Sequence, residues 1–518
     1  MSTRQARQER RESNRYLVLT VLCVPLVLTM LQSTVLSTAL RAIQLDLHAS
    51  ITDVQWIVAG YSLTFAALML TAGTFGDIHG RKKAFVLGLL VFLAGAVASA
   101  LATSVPLLIG SQLVMGFGAA WITPTSLAII RDVFTDPKQR AGAIGIWAGI
   151  GGAAVSIGPA VGGPMVDAWG WQSIFWMYVP IAVLGLIACV AYLPESVTDG
   201  SRRLDLAGTV LSIAWIAAVV YGTIEGPRRG WTDQWVLGAY AVALVLFVVF
   251  IVVELRSKDP MLDLRTFRDS GFTGSVFAGF AVYFGLFAIT YYMMIWLQNI
   301  LGWSASGAGL AILPALLLSM VAAPIAGWMT SKFGGGIPLS LGLVAAALSL
   351  WGATFYGVGA SLADYWWVVL LIGVGLGLTL TPISVVVMSR VPARSAGMAS
   401  GAANAIRQLG GGIGIAVLGA LLTDRMTTST SDRLTAMHLP EEVRAKVVAG
   451  ISSGASSASR QGGPIGDAVK LAFVDGLHLA EYVGAAILLG AAVITLILVG
   501  RKGSEDIASD RTPAAARR

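Results

Sequence analysis

The sequence predicts an all-α integral membrane protein of fourteen transmembrane helices, and three observations carry that reading. Of its 518 residues 56% are hydrophobic and only 12% are charged, and the mean hydropathy is +0.76, so there is too little polar surface to cover a soluble fold. Apolar stretches near the roughly twenty residues that cross a bilayer recur along the whole chain. Sixty glycines fit the same picture, because small residues let helix backbones approach closely in lipid.

The first apolar run, Tyr16 to Leu40, follows Arg4, Arg7, Arg10, Arg11 and Arg15. It is longer than the roughly 7–15 residues of a signal-peptide core, so it reads as a retained first span. Five further spans follow at Val54–Phe75, Ala84–Thr103, Pro106–Ile130, Ala141–Val166 and Ser173–Tyr192. Leu206–Thr223 and Val236–Val253 come next, then Phe272–Trp296, Gly307–Met329, Ile337–Tyr356, Tyr365–Met388, Gly397–Leu422 and Tyr482–Val499. With the N-terminus in the cytoplasm, 25 of the 35 Lys/Arg residues fall in the termini and inner loops. The positive-inside rule therefore places both ends of a cell-membrane protein in the cytoplasm, and it accounts for most of the net +7 charge without nucleic acid.

Echoes in the sequence divide the chain. Ala72-Gly73 with Asp77 and Gly80 returns as Ala326-Gly327 with Ser331 and Gly334, an offset of 254. Thr123-Pro124-x-Ser126 returns as Thr381-Pro382-x-Ser384, and Ala141-Gly142 as Ala396-Gly397, at offsets of 258 and 255. These pair residues 16–193, a six-helix half, with 271–500, a second six-helix half, and leave 194–270 as two inserted spans with their loops. Residues 1–15 and 501–518 are the basic N-terminus and a cytoplasmic tail. The segment 423–481 reads as a long extracytoplasmic loop, Ser/Gly-rich around Ile451 to Gly463, with one short helix near Pro440 to Val448. Parallel halves of this kind are typical of secondary transporters, which bind substrate between them near the midplane.

Several motifs add a family resemblance. Gly73-Thr74-Phe75-Gly76-Asp77-Ile78-His79-Gly80-Arg81-Lys82-Lys83 resembles the major facilitator signature between spans two and three. Gly158-Pro159-Ala160-Val161-Gly162-Gly163 resembles the exporter motif of span five, with Ala154 where a further glycine is usual. Trp171-Gln172-x-x-Phe175 with Val179-Pro180, Glu225-Gly226 with Gly230-Trp231, and Ala399-Ser400-Gly401-x-x-Asn404-x-x-Arg407-Gln408-x-Gly410-Gly411 resemble the fourteen-span drug/proton antiporters in particular.

The resemblance implies a major facilitator fold and export of lipophilic small molecules, with protons as the expected coupling partner. It makes Gly73, Asp77, Gly80 and Arg81 a conformational latch, in which Asp77 pairs with Arg81 or faces a helix N-terminus across the half interface. Gly158, Pro159, Gly162 and Gly163 become a kink that packs at that interface.

One departure stands out. The intramembrane acid usual in span one is Gln32, and the arginine usual in span four is Gln112. The two lie at similar heights, and a joint replacement strands no buried charge. It also removes the obvious proton carrier. Asp167, Asp205, Glu225, Glu254, Asp364 and Glu481 all fall at span ends, so coupling either uses an end-of-span acid such as Asp364 or Glu481, or is weak or absent.

Arg407 is the one basic residue expected within a span, where an ionisable group marks function by default; it either holds an anionic substrate group or interacts with carbonyls and amides such as Asn404 and Gln408 to hold the second half together. Candidate substrate contacts are Gln32, Tyr61, Gln112, Trp121, Trp147, Phe287, Tyr291, Asn404, Arg407 and Gln408, with Trp296 a further aromatic candidate. A lipid-like metabolite exporter and a non-transporting membrane sensor are the alternatives. An enzyme is disfavoured, since no phosphate-cradling loop, metal cluster or nucleophile with a positioned base is present. No cofactor is expected. Cys23 and Cys189 fall within apolar runs and read as packing residues.

Overall fold

The computed structural model describes residues 3–194, 205–257, 264–360, 362–391, 396–452 and 463–500. The tail after Gly500 and most of the Ser/Gly-rich stretch lie outside the described residues, as does the side chain of Asp77.

Six helices come first: α1 (Thr3–Asp46), α2 (Ile51–His79), α3 (Arg81–Ala100), α4 (Val105–Val133), α5 (Pro137–Trp169) and α6 (Ser173–Tyr192). The inserted pair is α7 (Leu206–Arg229) and α8 (Gln234–Arg256). The ninth span comprises α9 (Ser270–Val282), a π-helical stretch at Tyr283–Phe287, and α10 (Ala288–Asn299). The tenth breaks at Ile312 into α11 (Ala305–Ala311) and α12 (Leu313–Phe333), and α13 (Gly336–Ala353), α14 (Leu362–Ser389) and α15 (Ala396–Ala436) follow. A short α16 (Glu441–Ser452) precedes the last helix, α17 (Pro464–Val499). Thirteen helices among the described residues are long and apolar enough to cross a membrane, and α2, 29 residues long, stands where the second span is expected.

The segment expected as a loop over 423–481 holds the short helix expected near Pro440 to Val448, as α16, and is otherwise corrected: helix also covers Thr423–Ala436 and Pro464 onward. Asp424, Arg425, Asp467, Lys470 and Asp475 dilute its mean hydropathy, so a search for apolar runs passes over it. Its apolar residues instead recur at helical spacing, and Val469, Ala472, Phe473, Gly476, Leu477 and Ala480 form the buried face of α17's first half. Gly476 sits so close to Leu422 that a Cβ would lie 2.4 Å from its carbonyl oxygen.

Local chemistry sets the helix ends. Ser50 and Asp53 cap α2 reciprocally, the Ser50 hydroxyl accepting from Asp53 N at 2.9 Å and the Asp53 carboxylate accepting from Ser50 N at 2.8 Å. Gly80 joins α2 to α3 with φ 101°, a backbone conformation open in practice to glycine alone.

Helices α2 and α15 pack together, as do α5 and α11, across the seam between residues 3–194 and the helices after α8. The inserted hairpin lies against the first of these seams. Ile216, Val220 and Ile224 of α7 form one apolar cluster with Ala59, Leu63 and Ala67 of α2 and Ala416 of α15.

Candidate functional site

The two ends of the bundle differ. At the far end, where α1 finishes, α1 and α5 are bonded to α10 and α11. Arg41 donates to the carbonyls of Gln298 and Trp303, and Asn299 Nδ2 donates to Gln44 Oε1 at 3.2 Å. Asp167, at the end of α5, accepts from the backbone of Ala305 at 3.1 Å and Ser306 at 2.8 Å, capping the start of α11. Just inside, Gln55 donates to the Tyr292 hydroxyl at 3.1 Å, which in turn donates to Ile415 O at 2.7 Å.

At the near end, where α1 begins, α5 is held to α1 by Arg15, which donates to Gln139 Oε1 at 3.3 Å, but one face of α5 is open. Gly142, Gly145, Gly149 and Gly152 each have open space where a Cβ would project. Ile146 and Ile150 line an apolar pocket of about 400 Å³ with Tyr16, Leu19, Cys23 and Val27 of α1.

The exporter-type motif joins these regions. Pro159 has no N–H, so the carbonyl of Val155, four residues earlier, loses its helical donor. The Thr34 hydroxyl of α1 donates to that carbonyl at 2.8 Å. Added Cβ atoms at Gly158 and Gly162 would lie 2.1 Å from Thr34 Oγ1 and 2.4 Å from Val35 Cγ2, so both glycines admit α1. Gly163 instead faces Ala305 of α11, and Gly309 of α11 faces the Pro159 carbonyl, a Cβ there falling 2.1 Å from the oxygen. One turn of α5 thus accommodates both α1 and α11.

The amide pair meets. Gln32 Nε2 donates to Gln112 Oε1 at 2.8 Å, and Gln112 Nε2 donates to Ser99 Oγ at 3.1 Å, with both glutamines buried. Gln32 Oε1 is buried and has no hydrogen-bond partner among the described residues.

A second cluster lies on α15. The Arg407 guanidinium sits 4.9 Å over the Tyr283 ring and donates to Asn404 Oδ1 at 2.6 Å. Tyr283 stacks on Phe287 with centroids 4.9 Å apart. Both rings come from the π-helical stretch, whose extra residue per turn shifts the face that α9 and α10 present to α15. Asn404, Arg407 and Gln408 are all half-buried.

The remaining aromatic candidates are not gathered with these clusters. The Tyr61 hydroxyl donates to Thr29 O at 2.7 Å, pinning α2 to α1. Trp147 Nε1 donates to Ser126 Oγ at 3.0 Å between α5 and α4, and Trp121 stacks on Phe117 at 4.2 Å. Tyr291 and Trp296 are buried, and neither the Tyr291 hydroxyl nor the Trp296 indole nitrogen has a hydrogen-bond partner among the described residues.

The described ion pair of Arg81 is with Asp132 of α4, at 2.5 Å, and it also donates to Ala128 O at 3.2 Å. Sequence reasoning missed Asp132 because the contact joins two helix ends that only the fold brings together.

The model of the Major Facilitator Superfamily matches residues 22–415. The chain belongs to that superfamily. It is 34% identical over 493 residues to the multidrug resistance protein Stp of Mycobacterium tuberculosis, covering 92% of this chain and 90% of that one. It is 33% identical to the tetracenomycin C resistance and export protein of Streptomyces glaucescens, covering 94% and 92%. A bacterial homologue of the human lysosomal transporter Spinster, solved in an inward-facing and unoccupied conformation, shares the fold with a TM-score of 0.64 at 18% identity, covering 97% of this chain and 99% of that one. This major facilitator protein is therefore a multi-pass membrane transporter, and not an enzyme.

The superfamily motifs acquire contacts here. Trp171 Nε1 and Gln172 Nε2 both donate to Asp46 Oδ2, at 2.8 and 3.3 Å, tying the end of α1 to the α5–α6 turn. Trp231 folds back onto Gly226, where a Cβ would lie 2.6 Å from its ring. Among the described residues no group of His, Cys, Asp or Glu is placed to hold a metal ion.

Proposed function

We propose that this transporter exports hydrophobic small molecules from the cytoplasm by alternating access, with both termini cytoplasmic. The asymmetry of the bundle carries the reading: its far end is bonded shut through Arg41, Asp167 and Asn299, while at the near end the glycine face of α5 is open. With the near end cytoplasmic, as the Lys/Arg distribution implies, this is the state that loads substrate from inside. The names of the Stp and tetracenomycin C relatives support the substrate class.

The α15 cluster is the proposed substrate contact. Tyr283, Phe287 and Arg407 offer flat rings and one cation, with Asn404 and Gln408 as neutral polar points. The Gln32–Gln112 pair fixes α1 to α4 at the height where the resemblance leads one to expect a charge pair. Neither amide titrates, so this pair carries no proton. The exporter is proton-coupled in this reading, through an acid elsewhere.

The test is uptake of a lipophilic fluorescent cation into inside-out vesicles carrying the protein, with an inward-acidic gradient imposed and then collapsed by an uncoupler. Accumulation that requires both the protein and the gradient is expected. Protein-dependent uptake indifferent to the gradient would contradict the coupling, and no protein-dependent uptake would contradict export of this class.

A further inference from the structure

The last helix holds a buried acid that the mechanism so far leaves idle. Sequence reading puts Glu481 at the start of the final span; the structure puts it 17 residues into α17, which begins at Pro464. It stands 18 residues before Val499, about 27 Å along the helix at 1.5 Å per residue. Its side chain is 3% exposed, and Oε2 has no hydrogen-bond partner among the described residues.

Apolar groups surround that level of the helix. Gly484, one turn on, packs on Leu350 of α13 and Leu418 of α15. Helix α13 contains no titratable residue, nor does α15 from Ile415 to Leu422, and α9 has none. Among the elements packed on α17, the π-helical stretch offers Tyr283, beneath Arg407, and α10 offers Tyr291 and Tyr292, the latter bonded to Gln55 and Ile415. Asp424 and Arg425 lie beyond Leu422 on α15 and are exposed. Among the described residues no cation is paired or hydrogen-bonded with Glu481, so an ionised carboxylate there is desolvated, at a cost that a bound proton removes.

Other ionisable groups precede it on the same helix. Asp475, His478 and Glu481 are spaced three apart on α17; the first two are half-buried and Glu481 is buried. Asp475 is partly exposed and is held by Arg433 at 2.8 Å and Ser429 at 2.5 Å. His478 Nε2 lies 2.8 Å from Tyr356 O, and Glu481 is the buried end of the series.

We propose that Glu481 is a proton-binding site of this transporter, reached from the far, outer end of the bundle past Asp475 and His478. The proposal rests on the export reading and supplies the acid that the Gln32–Gln112 pair lacks.

Glu481→Gln in proteoliposomes tests it, because the amide keeps the shape and cannot bind the transported proton. The variant should lose gradient-driven accumulation of the fluorescent cation yet retain gradient-independent exchange of labelled for unlabelled cation. Gradient-driven accumulation at the wild-type level would overturn the site. Infrared difference spectra of purified protein give a second reading that needs no transport. A protonated-carboxyl band present in wild type, titrating with pH and missing in Glu481→Gln, is expected; its absence from wild type at every pH overturns the site. A wild-type protein that shows the band but moves no cation keeps the site and removes the export reading, so the two failures are distinguishable.

Discussion

Thr34 does more for α5 than its place in α1 suggests. Its hydroxyl supplies the hydrogen bond that Pro159 denies to the Val155 carbonyl. Thr34→Val keeps the shape and removes the donor, leaving a carbonyl inside the bundle unsatisfied at a cost of about 1–3 kcal/mol. A lower apparent melting temperature in detergent is expected for Thr34→Val and not for Thr34→Ser, and equal melting of the two variants would show that Val155 does not depend on Thr34. That Pro159 takes a helical donor from Val155 was legible in the sequence, but the replacement donor was not, since 121 residues separate Thr34 from Val155. The Gln32–Gln112 contact was more accessible, because two charged partners exchanged together for amides leave a trace at both positions. No comparable trace marks Asp132, an ordinary charge at a helix end until the fold brings it to Arg81 of the signature motif.

At the scale of elements, the contact of α5 with α11 decides whether the far end can close. Pro159 O and Gly309 meet without room for a side chain, and Gly163 meets Ala305 in the same way. Gly309→Leu should therefore hold the far end open. Cysteines introduced at Gln44 and Asn299, whose side chains are hydrogen-bonded at 3.2 Å, would report this as a fall in disulfide cross-linking relative to the same pair in the parent chain. Unchanged cross-linking would mean that α11 slides past the obstacle. Helix existence was largely readable: the expected span Ser173–Tyr192 coincides with α6. Helix length was less so, because hydropathy reports immersion in lipid and not helicity. That is why α15 runs on to Ala436 and α17 starts at Pro464, and why Glu481 looked terminal when it lies deep in a helix. The π-helical stretch at Tyr283–Phe287 leaves no signal in hydropathy at all, although it orients the two rings beside Arg407.

Over the whole molecule, the bonded far end and the open glycine face of α5 at the near end belong to one state of the proposed cycle, and exchanging them is the step that would carry a substrate across. The inserted α7–α8 hairpin bears on this exchange because it touches both sides of the α2–α15 seam. Thr71 and Thr209 share a hydrogen bond at 2.6 Å, Trp56 Nε1 donates to Glu225 at 3.4 Å, and Ala416 joins the same apolar cluster. The opposite seam, between α5 and the helices of the tenth span, has no such cover among the described residues, and it is where α5 presents open glycine faces. The fold and its membrane character followed from composition, span length and repeated motifs, whereas the direction in which the bundle is open exists only in three dimensions.

The most direct test of alternating access is a pair of spin-label distances in the reconstituted protein, one across each end. Both native cysteines are buried, so labels can be directed to introduced ones: Ile146 with Trp328 at the near end, Gln44 with Asn299 at the far end. As substrate and a proton gradient are supplied, the near-end distance should shorten while the far-end distance lengthens. Distances that stay fixed, or that change in the same sense at both ends, would contradict a transporter working by exchange between these two closures.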